Sequence, residues 1–104
     1  MSGVYLFVYG SLKRAGRHHD QLENARFLGE VETAPGYTLE PLGEYLALVA
    51  KPGDRSRVQG ELFEITQSLL SALDEFEGDA YVRQEVALSH VKYGFALAYL
   101  KKAR

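Results

Sequence analysis

The fold class is decided by residues 66–78, which read TQSLLSALDEFEG. Thr66 is a preferred helix N-cap, because its hydroxyl can accept a hydrogen bond from a free backbone N–H of the first turn. The apolar side chains that follow recur at helical spacing and fall on one face: Leu69, Leu70, Leu73 and Phe76. Gly78 is the expected stop just past the end. The segment therefore predicts one amphipathic helix that packs against the rest of the chain.

Short apolar runs separated by turn signals lie on both sides of this helix. Turns are indicated at Pro35-Gly36 and at Pro52-Gly53-Asp54. Strands are predicted over residues 4–9, 26–33, 45–50, 58–65, 81–88 and 91–100, with a brief pairing segment at 37–39. About six strands and one main helix predict an α+β fold, with a small, strongly curved or barrel-like mixed sheet packed against the helix. A parallel doubly wound fold is not expected, since it needs a helix between successive strands.

Length and composition bound the kind of protein this can be. The 104 residues fit one domain, residues 1–104, with 46% hydrophobic and 25% charged residues as in ordinary globular proteins. A net charge of −2 gives no electrostatic reason to expect nucleic acid or an anionic membrane as a partner. The absence of cysteine excludes disulfides, thiolate catalysis and Cys-ligated zinc. The N-terminus shows no signal peptide or transmembrane run, so a cytoplasmic protein is expected.

A first candidate site is the loop Tyr9-Gly10-Ser11-Leu12, directly after the first predicted strand. Glycine lets the backbone approach a ligand closely, and consecutive N–H groups in such a bend can form an anion-binding nest. On pattern alone, a tight turn leaving a strand is favoured over a nest. Ser11 is also a candidate nucleophile, but its surroundings are not the Gly-x-Ser-x-Gly elbow and no sequence feature supplies its base.

A second candidate site is the acidic end of the predicted helix, which carries Asp74, Glu75 and Glu77. A solvated helix end is the simplest interpretation. Carboxylates are nevertheless out of place there, because the C-terminal end of a helix carries partial negative charge. That charge, the ring of Phe76 and the two other acids should each push the pKa of Glu77 upward. A raised pKa suits a proton shuttle that works near neutral pH.

No metal or cofactor site is predicted. His18-His19-Asp20 contains adjacent histidines, whose side chains would point to opposite sides of an extended segment, and His90 stands alone at a turn. A polar loop is therefore the favoured interpretation of residues 18–20. The sequence has neither a phosphate loop nor a dinucleotide fingerprint, so we expect no cofactor.

The two candidate sites are linked by a family resemblance. The chain closely resembles the γ-glutamylcyclotransferase-like family in several motifs, which follow the same order and spacing over nearly its whole length. Its length is similar to that of the compact branch, which includes γ-glutamylamine cyclotransferases. The matching motifs are Tyr9-Gly10-Ser11-Leu12, His18-His19, Phe27-Leu28-Gly29, the strand Gln59-Gly60-Glu61-Leu62-Phe63-Glu64-Ile65, and the acidic segment Leu73-Asp74-Glu75-Phe76-Glu77-Gly78 with Tyr81 and Arg83.

This resemblance implies a pocket between the first loop and the end of the helix. Glu77 would be the acid/base there, while the backbone of Gly10-Ser11-Leu12 would hold a small-molecule γ-glutamyl substrate. Tyr9 and Tyr81 would line the pocket, with buried core tyrosines as the equal alternative. The implied reaction is intramolecular: the α-amine of the γ-glutamyl group attacks its own side-chain carbonyl, releasing 5-oxoproline and a free amine or amino acid. It needs neither an enzyme nucleophile nor a cofactor.

One segment departs from the family, and two other functions stay open. Gly43-Glu44-Tyr45-Leu46-Ala47 resembles the family's G-x-Y-P-A stretch, with Leu46 where proline is common, a change that concerns the wall of the leaving-group pocket. The alternatives are a non-catalytic module that binds a small carboxylate or γ-glutamyl compound in the same pocket, and a serine hydrolase that uses Ser11. Glu77 favours the enzyme, since a pocket built to bind a carboxylate gains nothing from a nearby anion. The leaving amine and the oligomeric state stay open.

Overall fold

The computed structural model describes residues 3–9, 22, 25–43, 45–90 and 92–101. Within these residues one mixed sheet of seven strands packs against one α-helix, which confirms the predicted α+β class. The predictions for Gly10-Ser11-Leu12 and His18-His19-Asp20 lie outside the described residues. In chain order the elements are β1 (Val4–Val8), β2 (Arg26–Glu32), β3 (Tyr37–Leu42), β4 (Tyr45–Ala50), β5 (Gln59–Ile65), α1 (Gln67–Glu77), a short 3₁₀ helix (Gly78–Ala80), β6 (Tyr81–Ala87) and β7 (Phe95–Lys101).

Strand β7 lies in the middle of the sheet and has three partners. It pairs antiparallel with β6 along its whole length. It runs parallel to β1 and to β4 and meets each at one position, with Leu6 opposite Leu97 and Leu48 opposite Leu100. The strand order is β2-β5-β1-β7-β4-β3, with β6 as the further partner of β7. β1 and β4 pair with different residues of β7. The sheet therefore divides at β7 into a branch that contains β1 and a branch that contains β4, next to the end of β1.

The sheet is curved strongly enough to hold a core on its inner face. A bridge between Thr33 and Leu88 joins the ends of β2 and β6, so the sheet is strongly curved and curls back towards itself. Because alternate side chains of a strand point to opposite faces, the buried residues divide into two clusters. The inner cluster comprises Phe7, Val31, Leu48, Val58, Leu62, Val86, Leu88, Ala96, Ala98 and Leu100. The outer cluster comprises Leu6, Val8, Leu22, Phe63, Ile65, Leu70, Leu73 and Tyr99, and it includes the buried face of α1.

Helix α1 follows the local signals of its sequence. The Thr66 hydroxyl accepts a hydrogen bond from the Leu69 N–H at 3.1 Å, as a helix N-cap does. Leu70 and Leu73 are buried against the outer face of the sheet. Phe76 lies on the same predicted face but is 39% exposed. The apolar contact of the helix with the sheet therefore weakens in the last turn, where the acidic residues lie.

Two strand boundaries differ from the predictions by more than one residue, and both differences arise from contacts that local patterns do not encode. Strand β7 begins at Phe95 rather than at residue 91. The backbone N–H groups of Lys92 and Tyr93 donate to His90 Nδ1 instead of pairing with a strand, which lengthens the turn. Strand β3 continues through Pro41 rather than ending before it. It stands at the end of the strand order, and an edge strand tolerates a residue without an N–H.

We expect Gly78→Ala to lower the free energy of unfolding by about 1 kcal/mol, because alanine is strained at positive φ. Gly78 ends α1 with φ 71° and ψ −158°, and its N–H donates to the Asp74 carbonyl. A Cβ added there would meet no atom within 4 Å, so the expected cost comes from the backbone alone. Urea unfolding measures it, with Gly94→Ala as the control, since that site is equally open and has no positive φ. Equal losses in the two variants would contradict this explanation.

Candidate active site at the end of helix α1

Glu77 is the last residue of α1 and the candidate acid of the site. Its side chain is partly buried, and this burial raises the pKa of Glu77 to about 7. The sequence predicts an upward shift from helix-end charge and neighbouring acids, whereas in the structure the main cause is burial. The last turn of α1 contains no basic residue that would oppose the shift. A carboxyl group with such a pKa exchanges protons readily at neutral pH.

Tyr9 follows β1 directly, at the point where the sheet divides. Its hydroxyl accepts a hydrogen bond from the Leu48 N–H at 3.0 Å and donates to the Tyr99 carbonyl, so it bridges β4 and β7. Burial raises the pKa of Tyr9, the Leu48 hydrogen bond lowers it, and negative charge on Tyr81 and Glu77 raises it further. The hydroxyl is thus held by backbone groups, and the residue lies within electrostatic range of the candidate acid.

Tyr81 begins β6, and the 3₁₀ helix joins it to the end of α1. Its partly buried side chain packs against the outer cluster. Tyr9 therefore lies within electrostatic range of Glu77 and Tyr81, the two other described residues that the family resemblance assigns to the pocket. Gly10-Ser11-Leu12 follow Tyr9 along the chain and lie outside the described residues. Their assigned role, like those of Tyr9, Tyr81 and Glu77, stays a prediction.

A hydrogen-bond network beside Glu77 was missed by sequence reasoning. The Tyr99 hydroxyl donates to Asp74 Oδ1 at 2.7 Å, and Arg83 Nη1 donates to Asp74 Oδ2 at 2.8 Å. Asp74 therefore does more than face solvent, although its side chain is 42% exposed. Burial raises the pKa of Tyr99, and the hydrogen bond and charge of Asp74 raise it further. Arg83 appears in the motif that carries the family resemblance, but nothing in the sequence pairs it with Asp74.

Other predictions about the site concern ligands and surroundings. Among the described residues, no group of three or more His, Cys, Asp or Glu side chains could hold a metal ion. The same residues include no helix that is both long and apolar enough to cross a membrane. Leu46, which stands where the family commonly has proline, is 50% exposed on β4. It lies two residues before Leu48, whose N–H contacts the Tyr9 hydroxyl.

Solved structures share the architecture described above. The crystal structure of an AIG2-like protein from Mus musculus matches with a TM-score of 0.85 at 25% sequence identity, covering 97% of this chain and 78% of that chain. An uncharacterised protein from Pyrococcus horikoshii matches with a TM-score of 0.80 at 26% identity, covering 97% of this chain and 80% of that chain. This chain therefore shares its fold with the AIG2-like protein from Mus musculus and with the Pyrococcus horikoshii protein.

Sequence comparison identifies the family. The family described as "Gamma-glutamyl cyclotransferase, AIG2-like" matches residues 6–104. A gamma-glutamylaminecyclotransferase from Rattus norvegicus is 36% identical over 92 residues, which covers 82% of this chain and 62% of that protein. Gamma-glutamylaminecyclotransferase C from Danio rerio is 34% identical over 101 residues, which covers 88% of this chain and 66% of that protein. This chain belongs to the γ-glutamyl cyclotransferase, AIG2-like family, and it spans less than two thirds of the length of either relative.

Proposed function

We propose that the protein is a γ-glutamyl cyclotransferase that uses Glu77 as its general acid/base. The observation that carries this proposal is a partly buried carboxyl group with a pKa of about 7, at the end of α1 and near Tyr9 and Tyr81. The substrates would be small γ-glutamyl compounds, and the family membership and the names of the two relatives support that class. No cofactor is required by this chemistry, and the expected cytoplasmic location stays a prediction.

The proposed reaction moves one proton through Glu77. The neutral α-amine of the γ-glutamyl group attacks the γ-carbonyl carbon and forms the C–N bond of the five-membered ring. The proton that this nitrogen loses passes to the Glu77 carboxylate. The amide C–N bond to the leaving group then breaks, and Glu77 returns the proton to the leaving nitrogen. One group can act as base and then as acid when its pKa lies near the working pH, as it does for Glu77.

Positioning supplies the other part of the proposed catalysis. The amine and the carbonyl belong to one flexible chain, so the pocket must hold that chain folded with the two groups in attack range. Such orientation can contribute about 7–11 kcal/mol in favourable cases. Backbone N–H groups of Gly10-Ser11-Leu12 would bind the α-carboxylate of the substrate as a nest. The ring of Tyr9, fixed at its hydroxyl by two backbone groups, would form a rigid wall beside that loop.

The alternative proposal is a module that binds γ-glutamyl compounds without converting them. It would use the same pocket but would need no proton shuttle, and an ionised Glu77 would repel a bound carboxylate. Incubating the protein with γ-glutamyl amino acids and γ-glutamyl amines separates the possibilities, with 5-oxoproline and free glutamate both measured. 5-Oxoproline supports the cyclotransferase, and glutamate indicates a hydrolase. Binding detected by calorimetry without either product indicates the binding module.

We expect Ser11→Ala to keep measurable cyclotransferase activity, because the substrate supplies its own nucleophile and residue 11 would act through its backbone N–H. The measurement is 5-oxoproline release by the variant, together with mass spectrometry of the wild-type protein during turnover. No acyl-enzyme should accumulate. Stoichiometric labelling of Ser11 by a fluorophosphonate, with activity lost in proportion, would instead support the serine hydrolase.

A further inference from the structure

We propose that Asp74 is a positioning residue that, together with Tyr99 and Arg83, fixes the last turn of α1 and thereby the orientation of Glu77. This inference rests on the proposed function for its kinetic consequences, but its structural part can be tested without activity. None of the three side chains would touch the substrate or exchange a proton in the reaction. Their role would be to hold the helix end against β6 and β7.

Asp74 is well placed to control Glu77 because the two residues are three positions apart in the same helix. Residues at this spacing are neighbours on one helix face. Asp74 also anchors the helix end through its main chain, since its carbonyl accepts the Gly78 N–H. Both carboxylate oxygens of Asp74 accept a hydrogen bond, Oδ1 from Tyr99 and Oδ2 from Arg83. Asp74, three residues before the candidate acid Glu77, is thus held by side chains of two strands, β6 and β7.

Tyr99 connects this anchor to the opposite wall of the site. Its hydroxyl donates to Asp74, while its backbone carbonyl accepts the hydroxyl of Tyr9. One residue of β7 therefore holds both the residue that precedes the substrate loop and the helix that carries Glu77. Tyr99 is 5% exposed and packs within the outer cluster, so neighbouring side chains hold its ring in place. The position of Glu77 relative to Tyr9 would depend on this residue.

The network is expected to act on orientation more than on stability. The Arg83 and Asp74 side chains are both partly exposed, and ion pairs of that kind contribute little to folding. A small displacement of a catalytic group can lower a rate strongly, by about 10²-fold for 1 Å. Loss of the network should therefore appear in kcat and in the environment of Glu77 before it appears in the melting temperature.

A test that reads the protonation of Glu77 must consider every titratable or charged side chain around it. These groups come from each element at this end of the sheet. Among the described residues they are Tyr9 after β1, Asp74 and Glu75 in α1, Asp79 in the 3₁₀ helix, Tyr81 and Arg83 in β6, and Tyr99 in β7. Variants that remove a hydrogen bond must therefore be compared with variants that remove a charge.

Tyr99→Phe and Asp74→Asn make that comparison. Tyr99→Phe removes the hydroxyl and keeps the Asp74 charge and the Tyr99 carbonyl. Asp74→Asn removes the charge and keeps an oxygen that can accept from Tyr99. Asp74→Ala removes both. Glu75→Gln is the control, because this exposed residue in the same turn makes no contact with the network that the structure describes.

The first measurement is steady-state release of 5-oxoproline. We expect Tyr99→Phe and Asp74→Ala each to lower kcat by about 10- to 10²-fold with little change in KM. The double variant should lose less than the product of the two single losses, because both changes break the contact between Tyr99 and Asp74. Asp74→Asn should lose less than Asp74→Ala. Wild-type kcat in Tyr99→Phe, or fully multiplicative losses in the double variant, would overturn the proposal.

The second measurement does not depend on turnover. In protein labelled with ¹³C-glutamate, the carboxyl resonance of Glu77 is assigned by its absence in Glu77→Gln, and its pH titration is recorded. We expect the Glu77 midpoint in Tyr99→Phe to fall from about 7 towards the ordinary value of 4.5, as the freed helix end admits water. An unchanged midpoint in Tyr99→Phe would overturn the positioning role. If the wild type releases no 5-oxoproline, the proposed function fails, and this titration still decides the inference.

Discussion

Glu77→Gln is expected to lower kcat for 5-oxoproline release by about 10²–10⁴-fold, the usual contribution of a positioned acid/base. The amide nearly matches the carboxylate in shape, so the fold and substrate binding should be retained. It cannot accept a proton from the substrate amine at neutral pH. The measurement is 5-oxoproline release on whichever γ-glutamyl compound the wild type accepts, with thermal melts as the folding control.

The companion variants separate one specific acid from a generally acidic helix end. Glu75→Gln should be nearly silent, because Glu75 is exposed. Asp74→Asn should lose much less than Glu77→Gln, because it keeps an acceptor for Tyr99 and removes no group that exchanges a proton. Near-wild-type turnover in Glu77→Gln, or equal losses in the three variants, would remove Glu77 from the assigned role.

Gly60→Ala is expected to destabilise the fold by about 3 kcal/mol, the upper end of the usual cost of overpacking. A Cβ at this position would overlap the Val8 carbonyl oxygen and would lie 2.5 Å from ring carbons of Phe7. Neither neighbour can move away easily. Phe7 is 1% exposed within the inner cluster, and β1 is fixed between β5 and β7.

Urea unfolding of Gly60→Ala and of the control Gly94→Ala measures this effect. The added methyl group at Gly94 would meet no atom within 4 Å, so the two variants differ in the space available to the same side chain. A midpoint for Gly60→Ala equal to that of the control would show that β1 and β5 can separate at no cost. Because Val8 immediately precedes Tyr9, a displaced β1 should also reduce activity in the folded fraction.

The sequence was sufficient for the features that local chemistry determines. Thr66 caps α1, and Gly78 ends it with positive φ. These signals lie within a few residues of the backbone groups they serve, so they can be read without knowledge of the partners. The curved mixed sheet could be predicted for a similar reason, because several of its strands, such as β1 and β4, are short apolar runs.

The features that were missed depend on segments meeting in space. The late start of β7 follows from the imidazole of His90, which takes N–H groups that a strand would have used. The Asp74 network joins residues that are 9 and 25 positions apart. Arg83 and Tyr99 become neighbours only through the register of β6 and β7. Such contacts are set by strand pairing, which no local pattern specifies.

The candidate site also combines features that the sequence predicts with features that arise only from tertiary contacts. Charge patterning singled out the acidic helix end and Glu77 within it, and the family resemblance implied the role of Glu77 as acid/base. The physical cause of its raised pKa is nevertheless burial, a property of the folded chain that the charges of residues 74–77 do not reveal. Tyr9 was predicted as a wall of the pocket, whereas its function in joining β4 to β7 through the hydroxyl emerges from the way the sheet divides.

The central claim, that the partly buried Glu77 exchanges the proton in γ-glutamyl cyclotransfer, is tested most directly by kcat/KM for 5-oxoproline release between pH 5 and pH 8. Glu77 must be ionised to accept a proton, so activity should fall as pH drops below its pKa of about 7. The substrate amine titrates at higher pH, so its deprotonation adds the same slope to the plot of log kcat/KM below pH 7 and above it. The account predicts that log kcat/KM rises with pH and becomes less steep by one unit of slope near pH 7. A straight line from pH 5 to pH 8, with no change of slope near pH 7, would contradict it.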